Sequence, residues 1–238
     1  MFARADHIAR TTSAAEAGLN AARLRIVLLT VLVNVVGVTL LTLAPWSDWR
    51  TGVALNLIDN ALLLGFALRR RDRFLGHLIG FGLVVGFTEL VADAWLVDYT
   101  RTLDYSVGGG PMLWRSPMWM PFAWEVVAVQ FAVIGERLMR WRPGTGLLAT
   151  ALLGALNIPY YEEMARRIHW WRYSGCRMIS GTPFYIIVGE LLIAAAFALL
   201  SPWVRRGRLV ATLAAGVMGG GLIFVAYAAA FFLTDRLF

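Results

Sequence analysis

The chain has 238 residues, of which 59% are hydrophobic, and it carries a formal net charge of +7. With a mean hydropathy of +0.64, it is too apolar for a soluble globular protein. All 22 basic residues are arginines, which excludes a retinal or any other lysine Schiff base. The arginines lie between apolar runs and form no separate basic domain, so lipid headgroups explain the charge better than nucleic acid does.

Seven apolar runs are each long enough to cross a bilayer as a helix. We therefore expect an all-α fold in the plasma or inner membrane of the cell, with a cytoplasmic tail over 1–23 and one seven-helix transmembrane domain over 24–238. The spans are predicted at 24–44, 51–68, 74–97, 117–138, 144–165, 182–201 and 209–233. No repeat is evident, although the fourth and sixth spans both begin near a proline and carry a glutamate seven or eight residues later.

The arginines predict the orientation of these spans. Fourteen of them fall in the tail and in the loops on its side of the membrane, and eight fall on the other side. Because cytoplasmic loops are enriched in arginine, we expect the amino terminus inside and the carboxyl terminus outside. Half of the outer eight lie within 166–181, which indicates a role for that loop beyond topology.

Five spans place a polar residue at about the same depth. Counting about 1.5 Å per residue from the outer ends, we expect a layer about 12 Å below the outer surface that contains Asp59, Glu89, Glu125, Asn157 and Glu190. Asp93 lies one turn above Glu89, on the same helix face. The sequence therefore predicts a shared internal cavity.

An acidic residue at the centre of a membrane helix costs about 2.5–3.5 kcal/mol by insertion scales. This cost favours a catalytic or binding role for Asp59, Glu89, Glu125 and Glu190 over simple packing. Glu162 and Glu163 lie nearer the surface, where a site role competes with pairing to Arg166 or Arg167. The amides Asn56, Asn60 and Gln130 are typical of hydrogen bonds between helices.

Aromatic and polar side chains are concentrated at the predicted outer mouth of this layer. The segment 169–173 combines indoles with a cation, so it either roofs the layer or anchors the loop in the membrane interface. We expect the substrate-binding residues to come from this set: Asp93, Trp124, Asn157, Tyr160, Tyr161, Trp170, Trp171, Arg172, Tyr173, Arg177 and Tyr185.

The residue inventory limits the chemistry. One cysteine and three histidines do not indicate a metal site, and we expect neither a metal nor a cofactor. Carboxyl groups in a low dielectric can donate or accept a proton, and aromatic faces stabilise a passing cation. These parts suffice to protonate an alkene and to guide the carbocation to cyclisation, hydration or isomerisation, which are lyase or isomerase reactions.

The segment Ile-Pro-Tyr-Tyr-Glu-Glu at 158–163, together with the size and the seven spans, resembles small integral-membrane isoprenoid enzymes. These are the membrane lycopene cyclases, which use a Pro-x-Glu-Glu motif, the carotenoid hydratase-like proteins and the seven-helix terpene cyclases. Here two residues, rather than one, separate Pro159 from Glu162. The resemblance implies an isoprenoid or carotenoid substrate, with Glu162 or Glu163 as the catalytic acid and Glu125 as a second.

Two other classes of function stay open. A transporter or channel would also hold carboxylates inside the membrane, and Gly219, Gly220 and Gly221 would permit helix movement. A non-catalytic membrane subunit would use the same polar residues to bind partner helices. The partners we expect are a membrane lipid or isoprenoid substrate, with a homo-oligomer or a membrane partner as open alternatives.

Overall fold

The computed structural model describes residues 2–236, which form a bundle of seven α-helices. They are α1 (Phe2–Leu41), α2 (Trp49–Arg70), α3 (Arg73–Ala94), α4 (Met120–Trp141), α5 (Pro143–Ile168), α6 (Phe184–Val204) and α7 (Leu209–Phe231). Turns of π-helix extend α3 over Trp95–Thr100 and α7 over Phe232–Arg236. Met1 and residues 237–238, the last two of the predicted transmembrane domain, lie outside the described residues.

Five of the described helices are long and apolar enough to cross a membrane, which indicates a membrane protein. These five segments are Ala14–Leu41, Trp49–Arg70, Arg73–Thr100, Phe184–Val204 and Leu209–Asp235. Helices α4 and α5, which each carry four charged side chains, are not among them. The prediction of a helical membrane protein is confirmed at this level.

The predicted tail and the first predicted span form one continuous helix, α1. The tail is rich in alanine and has no proline, so nothing in it interrupts the helix. Residues 71–72, which follow the second predicted span, form a tight turn between α2 and α3. Arg71 adopts a left-handed conformation there, and the Asp72 carboxylate caps α3 by accepting a hydrogen bond from the backbone N–H of Leu75.

Helix α3 packs against α4 and α7 at the centre of the bundle, where glycines allow the backbones to approach closely. A Cβ atom at Gly86 would lie 2.1 Å from the Pro121 carbonyl oxygen of α4, and one at Gly82 would lie 2.7 Å from that of Glu125. On α7, a Cβ atom at Gly220 would lie 2.5 Å from the Thr88 side chain. Gly82, Gly86 and Gly220 therefore serve close helix packing, as small residues do in membrane bundles.

Six two-residue strands, which the sequence did not predict, order the two long loops at one end of the bundle. Strand β1 (Leu103–Asp104) pairs with β4 (Arg172–Tyr173), so the loop before α4 is joined to the loop before α6. Each loop also forms a small hairpin: β2 (Met112–Leu113) pairs with β3 (Ser116–Pro117), and β5 (Met178–Ile179) pairs with β6 (Thr182–Pro183). We call this end of the bundle the loop end.

The two loops are copies of one motif, a repeat that the sequence analysis did not predict. Residues 105–117 read YSVGGGPMLWRSP and residues 173–183 read YSGCRMISGTP, with the second copy two residues shorter. Both copies form the same hairpin and lead into a helix that carries a buried glutamate. Asp104 and Arg172, the residues just before each copy, pair with each other in the antiparallel β1–β4 ladder.

Candidate functional site

A cavity of about 160 Å³ lies inside the bundle near the loop end. Side chains from all seven helices and from both repeated loops line it, and most of its lining is apolar. Three indoles, those of Trp119, Trp170 and Trp171, pack against one another at this cavity, with ring centroids 5.4–6.2 Å apart. Trp170 is tied to the loop between α1 and α2, because its indole N–H donates a hydrogen bond to the Asp48 carbonyl oxygen.

Asp93, at the end of α3, is the first of three buried carboxylates that line the cavity. It accepts a hydrogen bond of 2.7 Å from the Tyr105 hydroxyl and another from the Ser116 hydroxyl. Both donors come from the first copy of the loop motif. Burial raises the pKa of the Tyr105 phenol well above its usual value, so this hydroxyl remains a donor.

Glu162 and Glu190 are the other two carboxylates of the cavity. Glu162, on α5, accepts a hydrogen bond of 2.6 Å from the Trp171 indole N–H. Glu190, on α6, accepts one of 2.6 Å from the hydroxyl of Tyr227 on α7. Three helices thus each present a carboxylate to one cavity, and a directed donor fixes the position of each carboxylate.

Glu89 is fully buried and belongs to the same acidic cluster, although it does not line the cavity. It lies beside Asp93 and the indole of Trp124, and Glu190 is close enough to interact with it electrostatically. Among the described residues, none donates a hydrogen bond to either carboxylate oxygen of Glu89. The structure therefore brings together Glu89, Asp93, Glu162 and Glu190.

Glu125 and Asp59, two other predicted catalytic residues, are buried elsewhere. Glu125 packs at the contact of α4 with α3, where its side chain would meet a Cβ atom built on Gly82. Asp59, on α2, accepts a hydrogen bond from the Asn34 side chain of α1. Neither residue lines the cavity, so the predicted layer divides into a cavity cluster and two separate carboxylates.

The predicted substrate-binding residues divide in the same way. Asp93, Trp124, Asn157, Tyr161, Trp170, Trp171 and Tyr173 line the cavity. Tyr160, Arg172, Arg177 and Tyr185 do not.

These four side chains have other contacts. The Tyr160 hydroxyl donates to the Val35 carbonyl oxygen of α1, and the Tyr185 hydroxyl lies 2.7 Å from that of Thr102. Arg172 pairs with Asp104 across the β1–β4 ladder. The Arg177 guanidinium lies 5.6 Å from the centre of the Phe184 ring.

The sequence analysis missed Tyr105, Ser116, Trp119 and Tyr227. The repeated Tyr-Ser and Ser/Thr-Pro pairs indicate Tyr105 and Ser116, because each copy of the motif places the same residue types before a helix. Tyr227 is the only tyrosine in α7, within an otherwise apolar run. Within the part of the chain that the structure describes, no group of three or more histidine, cysteine or acidic side chains has the arrangement of a metal site.

Residues 90–234 match the sequence profile of a domain of unknown function, DUF6989. This range covers more than half of the chain and contains all three carboxylates that line the cavity, whereas Glu89 lies just before it. No curated protein matches the chain, and no solved structure matches it. The chain belongs to the DUF6989 family.

Proposed function

We propose that this protein is a membrane-embedded acid–base enzyme that protonates an alkene of an isoprenoid-type lipid. The observation that carries the proposal is the cavity in which Asp93, Glu162 and Glu190 meet beside indole rings. Each of these carboxylates is buried and held by a hydrogen-bond donor, as acid–base catalysis requires. The loose resemblance of residues 158–163 to isoprenoid enzymes supports the same class of substrate.

The reaction needs only the groups that the cavity holds. A protonated carboxyl group gives its proton to one alkene carbon, the π electron pair forms the new C–H bond, and the neighbouring carbon becomes cationic. A second alkene closes a ring onto that carbon, or a water molecule adds to it. Loss of a proton to a carboxylate then completes the product, so the proton balance closes without an oxidant or a reductant.

The indoles of the cavity have two roles in this chemistry. Their faces stabilise a carbocation through the negative electrostatic potential of the ring, and their bulk limits how much water reaches it. A cavity of about 160 Å³ encloses the reacting segment of an isoprenoid rather than the whole chain. The rest of such a lipid would extend between the helices.

All seven helices cross the membrane in this proposal, with the amino terminus in the cytoplasm and the carboxyl terminus outside. Helix α5 exposes leucines suited to lipid contact, and Leu156 is 75% exposed. Helix α4 is surrounded by five other helices, so it needs less apolar surface. Exposed tryptophans near both ends of the bundle, Trp46, Trp141 and Trp203, suit the two membrane interfaces.

A deuterium experiment tests the proposed reaction. Membranes that contain the protein are incubated in D₂O with linear polyprenols or acyclic carotenoids, and the products are analysed by mass spectrometry. We expect cyclised, hydrated or isomerised products that carry deuterium on carbon, and none from membranes without the protein. Asp93→Asn and Glu190→Gln should each lower the rate by about two to four orders of magnitude. Absence of deuterated product from every substrate would refute the proposal.

A further inference from the structure

The cavity has a second polar feature besides its carboxylates. Four amide side chains line it, and each comes from a different helix: Asn34 from α1, Asn56 from α2, Gln130 from α4 and Asn157 from α5. The proposed proton transfer does not use them. Hydrogen bonds between helices explain only part of this set, as the contacts of each amide show.

Two of the amides are oriented by bonds within their own helices. The Asn34 amide nitrogen donates to the Thr30 carbonyl oxygen, and that of Asn56 donates to the Gly52 carbonyl oxygen. A carbonyl can only accept, so these contacts identify which atom of each amide is the nitrogen. Within the described part of the chain, the side-chain oxygens of Asn34 and Asn56 accept no hydrogen bond.

Gln130 is oriented by a similar argument. Its amide nitrogen lies 3.1 Å from the Thr30 hydroxyl oxygen, and that hydroxyl gives its own hydrogen to the Val27 carbonyl oxygen. The Gln130 oxygen is therefore left as an acceptor. Asn157 contributes a complete amide that no described residue engages in a hydrogen bond.

The amides thus supply four acceptor oxygens, and also unused N–H donors on Asn56, Gln130 and Asn157, to a largely apolar space. Polar groups without partners in such a space cost free energy, which a ligand that donates hydrogen bonds would recover. No arginine or histidine lines the cavity, and carboxylates repel an anion, so a phosphate or diphosphate headgroup does not fit. A neutral hydroxyl group both donates and accepts, so it matches neutral amides that offer oxygens and N–H groups.

We propose that the four amides form a subsite for a hydroxyl group, and that the ligand of the cavity is therefore a polyprenyl alcohol or phenol rather than a hydrocarbon or a prenyl diphosphate. The assignment of an isoprenoid chain to the ligand rests on the proposed function. The hydroxyl part rests on the amides alone and needs no turnover to be tested.

The test measures binding of farnesol and of its methyl ether, which has nearly the same shape but no hydroxyl donor. Purified full-length protein in nanodiscs is titrated with each probe while the tryptophan fluorescence is followed, because four indoles line the cavity. We expect farnesol to bind about tenfold more tightly than the ether, the value of one or two buried hydrogen bonds. Farnesyl diphosphate should bind no better than the ether.

Variants assign the preference to the subsite. Asn157→Leu and Asn56→Leu should each reduce the preference for the alcohol toward onefold. Asn60→Leu is the matched control, because Asn60 is an amide on the same helix as Asn56 but does not line the cavity. Thermal unfolding shows whether each variant is folded. Two independent cavity variants are used so that the test still stands if one of them does not fold.

Three results would overturn the inference: equal affinity of the wild type for farnesol and its ether, a preference that survives in both cavity variants, or no saturable binding of farnesol. A preference for farnesol without deuterated product would refute the proposed reaction and leave the subsite standing. Deuterated product from hydrocarbons with equal binding of the two probes would refute the subsite and leave the reaction standing.

Discussion

The indole nitrogen of Trp171 lies 2.6 Å from the Oε2 atom of Glu162, so a residue of the loop before α6 positions a carboxylate of α5. Trp171 stands just before β4, the strand that pairs with β1 in the loop before α4. The cavity is thus completed at the loop end by the pairing of β1 with β4, and the position of an acidic group depends on that pairing.

Trp171→Phe should lower activity while keeping an aromatic ring at the cavity. A lost hydrogen bond to a neutral carboxyl group is worth about 0.5–1.5 kcal/mol, or about 2- to 13-fold in rate. The rate of deuterium incorporation measures it, and the pH profile should shift because Glu162 loses its donor. Trp203→Phe, at the opposite end of the bundle, is the control. Equal rates for the two variants would show that the indole N–H positions nothing.

Glu162→Gln and Glu163→Gln should differ sharply although the two residues are adjacent. Glu162 is buried at the cavity, whereas Glu163 forms surface ion pairs with Arg166 and Arg167. We expect a fall of about two to four orders of magnitude for the first variant and no more than a small change for the second, whose ion pairs are exposed. The same deuterium assay decides this, and a reversed result would place the acid at Glu163.

Gly86→Ala should destabilise the bundle because the added methyl group would meet the Pro121 carbonyl oxygen. Overpacking of this kind typically costs about 1–3 kcal/mol. Gly221→Ala is the matched control, since a Cβ atom there meets nothing within 4 Å. Thermal unfolding in one detergent should give a lower Tm for Gly86→Ala alone, and equal Tm values would contradict the close packing of α3 on α4.

Arg172→Gln tests whether the loop arginines bind substrate or hold the loops together. Hydrogen bonds from Ser106 and then from Arg172 lower the pKa of Asp104 from its ordinary value of 3.8. Because the pKa of Asp104 is lowered in the folded protein, the ionised carboxylate stabilises the fold at pH values above the ordinary pKa. This stabilisation is lost as the pH falls through the lowered pKa. We therefore expect Arg172→Gln to lose at most about 1 kcal/mol of stability at pH 7, which gives a slightly lower Tm. In strong acid the variant and the wild type should have equal Tm values.

Farnesol binding provides the second readout for Arg172→Gln. The arginine does not line the cavity, so the affinity for farnesol should stay at the wild-type value. A clear loss of affinity would favour the sequence-based hypothesis that Arg172 and Arg177 bind the substrate.

Reporter fusions test the proposed topology. Fusions placed after Arg71 and after Arg177 should report opposite sides of the membrane, with Arg71 in the cytoplasm, because the loops on the side of the tail carry most of the arginines. The same side for both fusions would exclude the seven-span arrangement.

The sequence determined the class of this protein and the elements of its fold. Apolar runs of membrane length can only be helices, because a bilayer offers no partner for an open backbone. The position of each acidic residue along its helix could also be counted, and that count placed Glu89, Asp93 and Glu190 near one depth. Glu162 was a candidate because it lies beside Glu163 and because residues 158–163 resemble a motif of isoprenoid enzymes.

The tertiary structure decided which of those residues meet. Depth along a helix can be counted from the sequence, whereas the neighbour that a buried face meets depends on how the helices pack. This is why Glu125 could not be separated from Glu190: both lie about eight residues into their predicted spans, yet one packs on α3 and the other lines the cavity. The donors Tyr105 and Tyr227 come from other elements than their carboxylates, and only the packing of the helices and the pairing of β1 with β4 brings them there.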